Sequence, residues 1–156
     1  MELFKKLNLK DQQLIYVLNA PAGFGGELSR LPAGVTVKNS LAGAGQVAFL
    51  LAFVTRQKEV DDLASALPAL TAPDAIIWLA YPKGTSKNYT CEFNRDTGWA
   101  EMGKNGFEPV RQVAIDADWS ALRFRNPDYI KKMTRSFAMT EKGKQKVAAA
   151  RRASKK

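Results

Sequence analysis

Lys83-Gly84-Thr85-Ser86-Lys87 combines two ammonium groups, two hydroxyls and a glycine-opened backbone, the groups that hold a small anion. In a nucleotide phosphate loop the lysine follows a glycine-rich span and precedes Ser or Thr. Here the lysine comes first, so the segment suits an anion and does not form a Walker loop. The competing use of Lys83 is an ion pair with Asp116 or Asp118. A second glycine run, Gly23-Phe24-Gly25-Gly26, stands where a dinucleotide or AdoMet loop would begin. Those loops read G-x-G-x-x-G and need an acid about 20 residues on for the ribose. The glycine spacing differs, and the next β-like stretch ends Val37-Lys38-Asn39, where a lysine cannot accept ribose hydroxyls. A plain strand–helix turn with no cofactor is expected there.

The chain has no histidine. That removes Ser-His-Asp and Cys-His nucleophiles, the usual near-neutral base and most zinc and iron sites. Cys91, the single cysteine, excludes an intrachain disulfide and would be a nucleophile only if something lowered its pKa. A small buried side chain is the expectation. Trp119-Ser120-Ala121-Leu122-Arg123-Phe124-Arg125 alternates, with Trp119, Ala121, Arg123 and Arg125 on one face. Trp119 beside arginines could stack on an aromatic ligand. The expected arrangement is instead Trp119 covering the sheet end and the arginines pairing with helix carboxylates.

These groups need a frame, and Gln46 to Lys83 supplies it. Val47 to Val54 and Asp74 to Tyr81 are apolar runs without alternation, the mark of strands buried on both faces. Between them Val60, Leu63, Ala64 and Leu67 recur at helical spacing, with Thr55 as the expected N-cap. The result is a β-α-β unit with parallel strands. Leu14 to Leu18 and Val35 to Asn39 read as earlier strands, separated by a short helix over Gly25 to Arg30. A helix is expected from about Phe93 to Lys104, stopped by Asn105-Gly106. Val110 to Ile115 and Trp119 to Phe124, three residues apart, should close an antiparallel hairpin. The fold class is α/β: an open, mostly parallel sheet of about six strands ending in that hairpin, with helices on both faces. Val17, Phe49, Leu51, Phe53, Leu63, Ile76 and Trp78 are expected to be buried together.

This order resembles an abbreviated Rossmann fold of the AdoMet-methyltransferase kind. Three blocks, Leu18-Asn19-Ala20-Pro21, Trp78-Leu79-Ala80-Tyr81-Pro82-Lys83 and Asp118-Trp119-Ser120-Ala121-Leu122-Arg123-Phe124, are similar to a bacterial domain-of-unknown-function family of small α/β proteins. The likeness runs from about residue 8 to 125. It implies the fold and brings no activity, cofactor or site residues with it.

In an open parallel sheet ligands bind beyond the carboxyl ends of the strands. Asn19, Thr55, Lys83, Thr85, Ser86, Asp116, Asp118 and Trp119 should all gather there, because the fifth strand should run parallel to the fourth. The expected function is a small cytoplasmic, non-enzymatic binding or regulatory module with a degenerate Rossmann-like site and an anionic small molecule as ligand. The alternatives are a minimal AdoMet-dependent methyltransferase-like enzyme and a nucleic-acid-associated protein.

Charge segregation motivates the last of these. Residues 126–156 hold ten Lys/Arg and two Asp/Glu, a net of +8 out of +9, so the α/β domain over 1–125 is nearly neutral. Asn126-Pro127-Asp128 opens an amphipathic helix over 126–139 carrying Ile130, Met133 and Phe137. Residues 140–156 read as a basic, flexible tail. Its Lys142, Lys144, Lys146, Arg151, Arg152, Lys155 and Lys156 could neutralise phosphates without reading sequence, or dock on an acidic protein. The first residues lack the apolar run of a signal peptide, and the longest such run, Val47 to Val54, falls short of the roughly 20 residues a membrane needs. No membrane association is expected. Deleting 140–156 should leave the unfolding midpoint nearly unchanged, because the tail has little to bury. A nucleic-acid gel shift that weakens steeply with salt and vanishes on this deletion would assign binding to the tail, whereas a shift surviving the deletion would assign it to the α/β domain.

Overall fold

Seven apolar residues with no polar break can only lie flat between two covered faces, and β3 (Val47–Phe53) does so at the centre of the chain's one sheet. The structure, a computed structural model, describes residues 2–93 and 97–127, so the helix expected over 126–139, from Asp128 on, and the whole basic tail lie outside the described residues. β3 is flanked in parallel by β1 (Leu14–Leu18) and by β4 (Thr71–Pro82). β2 (Thr36–Lys38) adds a short exposed edge beside β1. On the other side β6 (Trp119–Arg125) runs antiparallel to β4, and β5 (Glu108–Ala114) closes the edge antiparallel to β6. The order is β2-β1-β3-β4-β6-β5, a mixed, mostly parallel α/β sheet.

Strand alternation sorts the core into two layers. Leu50, Ala52, Ile77, Leu79, Tyr81, Leu122 and Phe124 face one side. There they meet Val60, Ala64 and Leu67 of α3 (Gln57–Leu70) and Met102 of α4 (Ala100–Lys104). Val17, Phe49, Leu51, Phe53, Ile76 and Trp78 face the other side, under Leu3, Phe4 and Leu7. Those three belong to α1 (Glu2–Lys6) and the residue after it. Phe24 joins them from a 3-10 turn that leads into α2 (Gly25–Leu28). Leu63 was expected with this second group. It lies half-buried on the first, because α3 covers only that face. The indole Nε1 of Trp78 donates to the Leu7 carbonyl at 2.8 Å, which satisfies both buried groups and ties α1 to the sheet.

Two local expectations are corrected. The helix cap is Arg56, not Thr55: Glu59 reaches back to the Arg56 amide at 3.0 Å and to the Thr55 amide at 2.9 Å. A carboxylate at the third helical position competes well for these orphan donors. Among the described residues, the helix expected from Phe93 spans Ala100–Lys104. Gly98 explains the late start with a φ of +94° that no helix accepts, and a Cβ there would lie 2.5 Å from the Phe93 Cβ. Beyond β4's first residue the register with β3 shifts, and Asp74 takes a φ of +50° in the resulting bulge. Among the described residues no helix is long and apolar enough to cross a membrane.

Leu51, fully buried at the centre of the sheet, should cost about 2–5 kcal/mol when truncated to alanine. Denaturant unfolding checks this; a change under about 0.5 kcal/mol would contradict its central packing.

Candidate functional site

The carboxyl ends of β1, β3 and β4 form one edge of the sheet, and the β5–β6 turn joins them because β6 starts where β4 stops. Pro82 is paired with Trp119, and the Lys83 amide donates to the Asp118 carbonyl at 2.7 Å. Asp116 shapes that turn: one carboxylate oxygen accepts the amides of Asp118 at 2.8 Å and Trp119 at 2.9 Å. Asp118 then holds the loop after β4. Its carboxylate accepts the Ser86 hydroxyl at 2.9 Å and the Asn88 side-chain amide at 3.2 Å. The Ser86 oxygen in turn accepts the amides of Asn88 and Tyr89. At the loop's far end the Glu92 amide donates to the Thr55 carbonyl at 3.0 Å, and the Glu92 carboxylate accepts the first amide of α3, that of Gln57, at 2.8 Å. The segment 83–93 thus bridges the β5–β6 turn to the start of α3.

A cleft of about 560 Å³ opens beneath this bridge. Lys83, Thr85, Tyr89, Thr90 and Gln112 contribute polar groups to its lining, with Tyr81 and Phe93 as apolar wall. Gln112 donates to the Tyr81 hydroxyl at 2.9 Å, fixing both side chains. Lys83, half-buried, has no carboxylate within ion-pair distance of its ammonium among the described residues; Asp116 and Asp118 are engaged with the turn and the loop. Cys91 also borders the cleft, half-buried. Burial pushes its thiol above the ordinary value, with Glu92 and Glu59 adding to the rise against a backbone hydrogen bond from Phe93. A thiol held protonated is a poor nucleophile.

The other expected residues sit elsewhere on the edge. Asn19 follows β1 with a φ of +58°, and its side-chain amide reaches the Phe53 carbonyl at 3.4 Å, across the gap between β1 and β3. It lines a second cleft of about 750 Å³ with Lys38, Asn39 and Ser40, beyond β1 and β2. Thr55 directs its amide and hydroxyl to Glu59, so it braces the start of α3. Trp119 is buried, edge-on to Phe53 at 5.0 Å and against Tyr89 at 4.9 Å. Its face is therefore closed to a stacking ligand. Arg125 of β6 takes its partner from the sheet and not from a helix, forming a two-pronged pair with Asp74, both contacts at 2.7 Å, while Arg123 has no ion pair among the described residues. Among the described residues no three carboxylate or thiol groups converge as a metal site would require.

Tyr81, Tyr89, Thr90 and Gln112 are cleft residues that the sequence pattern did not single out. Only the alternation of β4 and β5 could have placed Tyr81 and Gln112 on one face, and only after β6 was known to lie between them. No protein-family model matches this chain, and no curated protein is significantly similar to it.

Ser86→Ala removes the hub of the bridge, leaving two amides and the Asp118 carboxylate without it. We expect a loss of about 1–2 kcal/mol in thermal or denaturant unfolding and faster hydrogen exchange over 84–90. Unchanged exchange at those amides would show the loop to be held by other contacts.

Proposed function

We propose that this chain is a small α/β binding module that takes a small organic anion in the cleft beneath the 83–93 bridge. The observation that carries this reading is Lys83, a half-buried residue at the cleft with both nearby carboxylates held by other groups. Thr85, Tyr89 and Thr90 line the same cleft, and their hydroxyls suit the polar body of such a ligand. Among the described residues the edge pairs no nucleophile with a base, so binding rather than turnover is the role assigned.

The strand order supports an abbreviated Rossmann-like reading of the fold, akin to the AdoMet-dependent methyltransferases and to the bacterial family whose sequence blocks this chain resembles. Successive strands reverse their direction across the sheet between β1 and β3, the kind of switch point at which such folds bind ligands. The residues there do not fit AdoMet or a dinucleotide. Lys38 ends β2 where the ribose needs a carboxylate, and Asn19 is drawn to the Phe53 carbonyl across the switch point.

A thermal-shift panel of nucleotides, AdoMet, sugar phosphates and carboxylated metabolites tests the reading. A ligand at about 100 times its Kd stabilises by about 2.7 kcal/mol, or about 5–10 °C for a domain of this size. Lys83→Ala should abolish the shift of the hit while leaving the unliganded midpoint in place. Micromolar AdoMet or NAD binding by calorimetry would overturn the assignment.

A further inference from the structure

The sheet carries a second cationic site on the face opposite the cleft. Arg111 of β5 and Arg123 of β6 are direct cross-strand partners, so their side chains leave the same face side by side. Like charges placed opposite each other oppose folding, and the neighbouring Arg125 adds a third guanidinium. Asp74, the carboxylate that acts on Arg123, is itself engaged in both prongs by Arg125. Arg123 is half-buried beside Trp78, and its Nε is fully buried with no hydrogen-bond partner. Burial, then the charges of Arg125 and Arg111, depress its pKa, with Asp74 opposing only in part. A guanidinium desolvated among like charges costs stability.

We propose that Arg111 and Arg123 form a binding site for a phosphate-class oxyanion, carried by a small phosphorylated molecule. Two guanidinium forks on adjacent strands match one tetrahedral dianion, whose oxygens accept several N–H groups at once. The site is one anion wide. Along the same face the next cross-strand pair is Val113 with Ala121, both buried and apolar, and on the other side Arg125 is held by Asp74. That footprint suits an isolated phosphate and not the repeating charge of a nucleic-acid backbone. It is independent of the Lys83 cleft, since Arg123 lies four residues along β6 from Trp119, about 13 Å, and faces the other side.

Thermal unfolding of the full chain in inorganic phosphate against chloride at matched ionic strength tests the proposal. Phosphate should raise the midpoint of the wild type and of Lys83→Ala equally, and should raise neither Arg123→Met nor Arg111→Gln. In chloride Arg123→Met should unfold no lower than the wild type, because it removes an uncompensated charge; a clear drop would make Arg123 a structural group and overturn the proposal. Arg111 is exposed, so Arg111→Gln tests the site without disturbing the packing around it. A sugar phosphate that shifts the midpoint further than phosphate identifies an ester as the ligand, and an equal shift identifies the ion itself. Backbone amides at 111 and 123, not those at 84–86, should move on phosphate titration by NMR. The proposal falls if the wild type does not respond, if Arg111→Gln responds fully, or if an oligonucleotide binds through these arginines without competition from phosphate.

Discussion

The antiparallel insertion of β6 between β4 and β5 is the constraint on which the rest of this structure depends. Its register, from Pro82 opposite Trp119 to Ile77 opposite Phe124, acts at both ends of the sheet. At the carboxyl end it delivers Asp118 to the loop after β4, so that one carboxylate holds both Ser86 and Asn88. Towards the amino end it lays Arg125 against the bulged Asp74 and puts Arg123 beside Trp78. A slip of one residue would turn Leu122 and Phe124 out of one core layer and bury arginines in their place. Packing therefore specifies the register, and both candidate binding sites inherit it.

Charge is distributed by the same geometry. At the carboxyl edge, acidic side chains are used to build backbone: Asp116 forms the turn, Asp118 the loop and Glu59 the start of α3. Each accepts amides or hydroxyls that would otherwise be unsatisfied. Lys83 is left without a carboxylate partner among the described residues and ends beside a cleft lined with hydroxyls. On the opposite face the imbalance is sharper, since cross-strand pairing sets Arg111 against Arg123 while Asp74 is engaged by Arg125. Natural sheets avoid such like-charge pairs unless something returns the cost.

Both sites rest on rigid support. Tyr81, at the wall of the cleft, stacks edge-on to Trp99 at 5.5 Å, and Trp99 in turn contacts Phe93 and Phe124. This aromatic layer packs α4 and the segment before it against the sheet. On the other face the Trp78 indole is locked by the Leu7 carbonyl, which fixes the strand next to Arg123. Side chains anchored in this way hold a binding geometry with little ordering left to do on association.

The amino-acid sequence alone determined the elements whose signals are local. The unbroken runs of β1, β3 and β4, the helical spacing of Val60, Ala64 and Leu67, and the short separation of β5 from β6 depend on neighbours a few residues away. The absence of histidine and the lysine ending β2 likewise limited the chemistry before any fold was known. The tertiary structure decided which distant groups meet. The fifth strand does run parallel to the fourth, yet β6 lies between them, and only that order sets Arg111 opposite Arg123 and Gln112 against Tyr81. Thr55 and Asp118 became structural, and Lys83 was left without a carboxylate partner, through hydrogen bonds spanning up to 32 residues of sequence and through a turn whose partner lies on another strand. Strand order across a sheet is set by the packing of two covered faces and is not written in any local period, so sites that depend on it are visible only once the sheet is assembled.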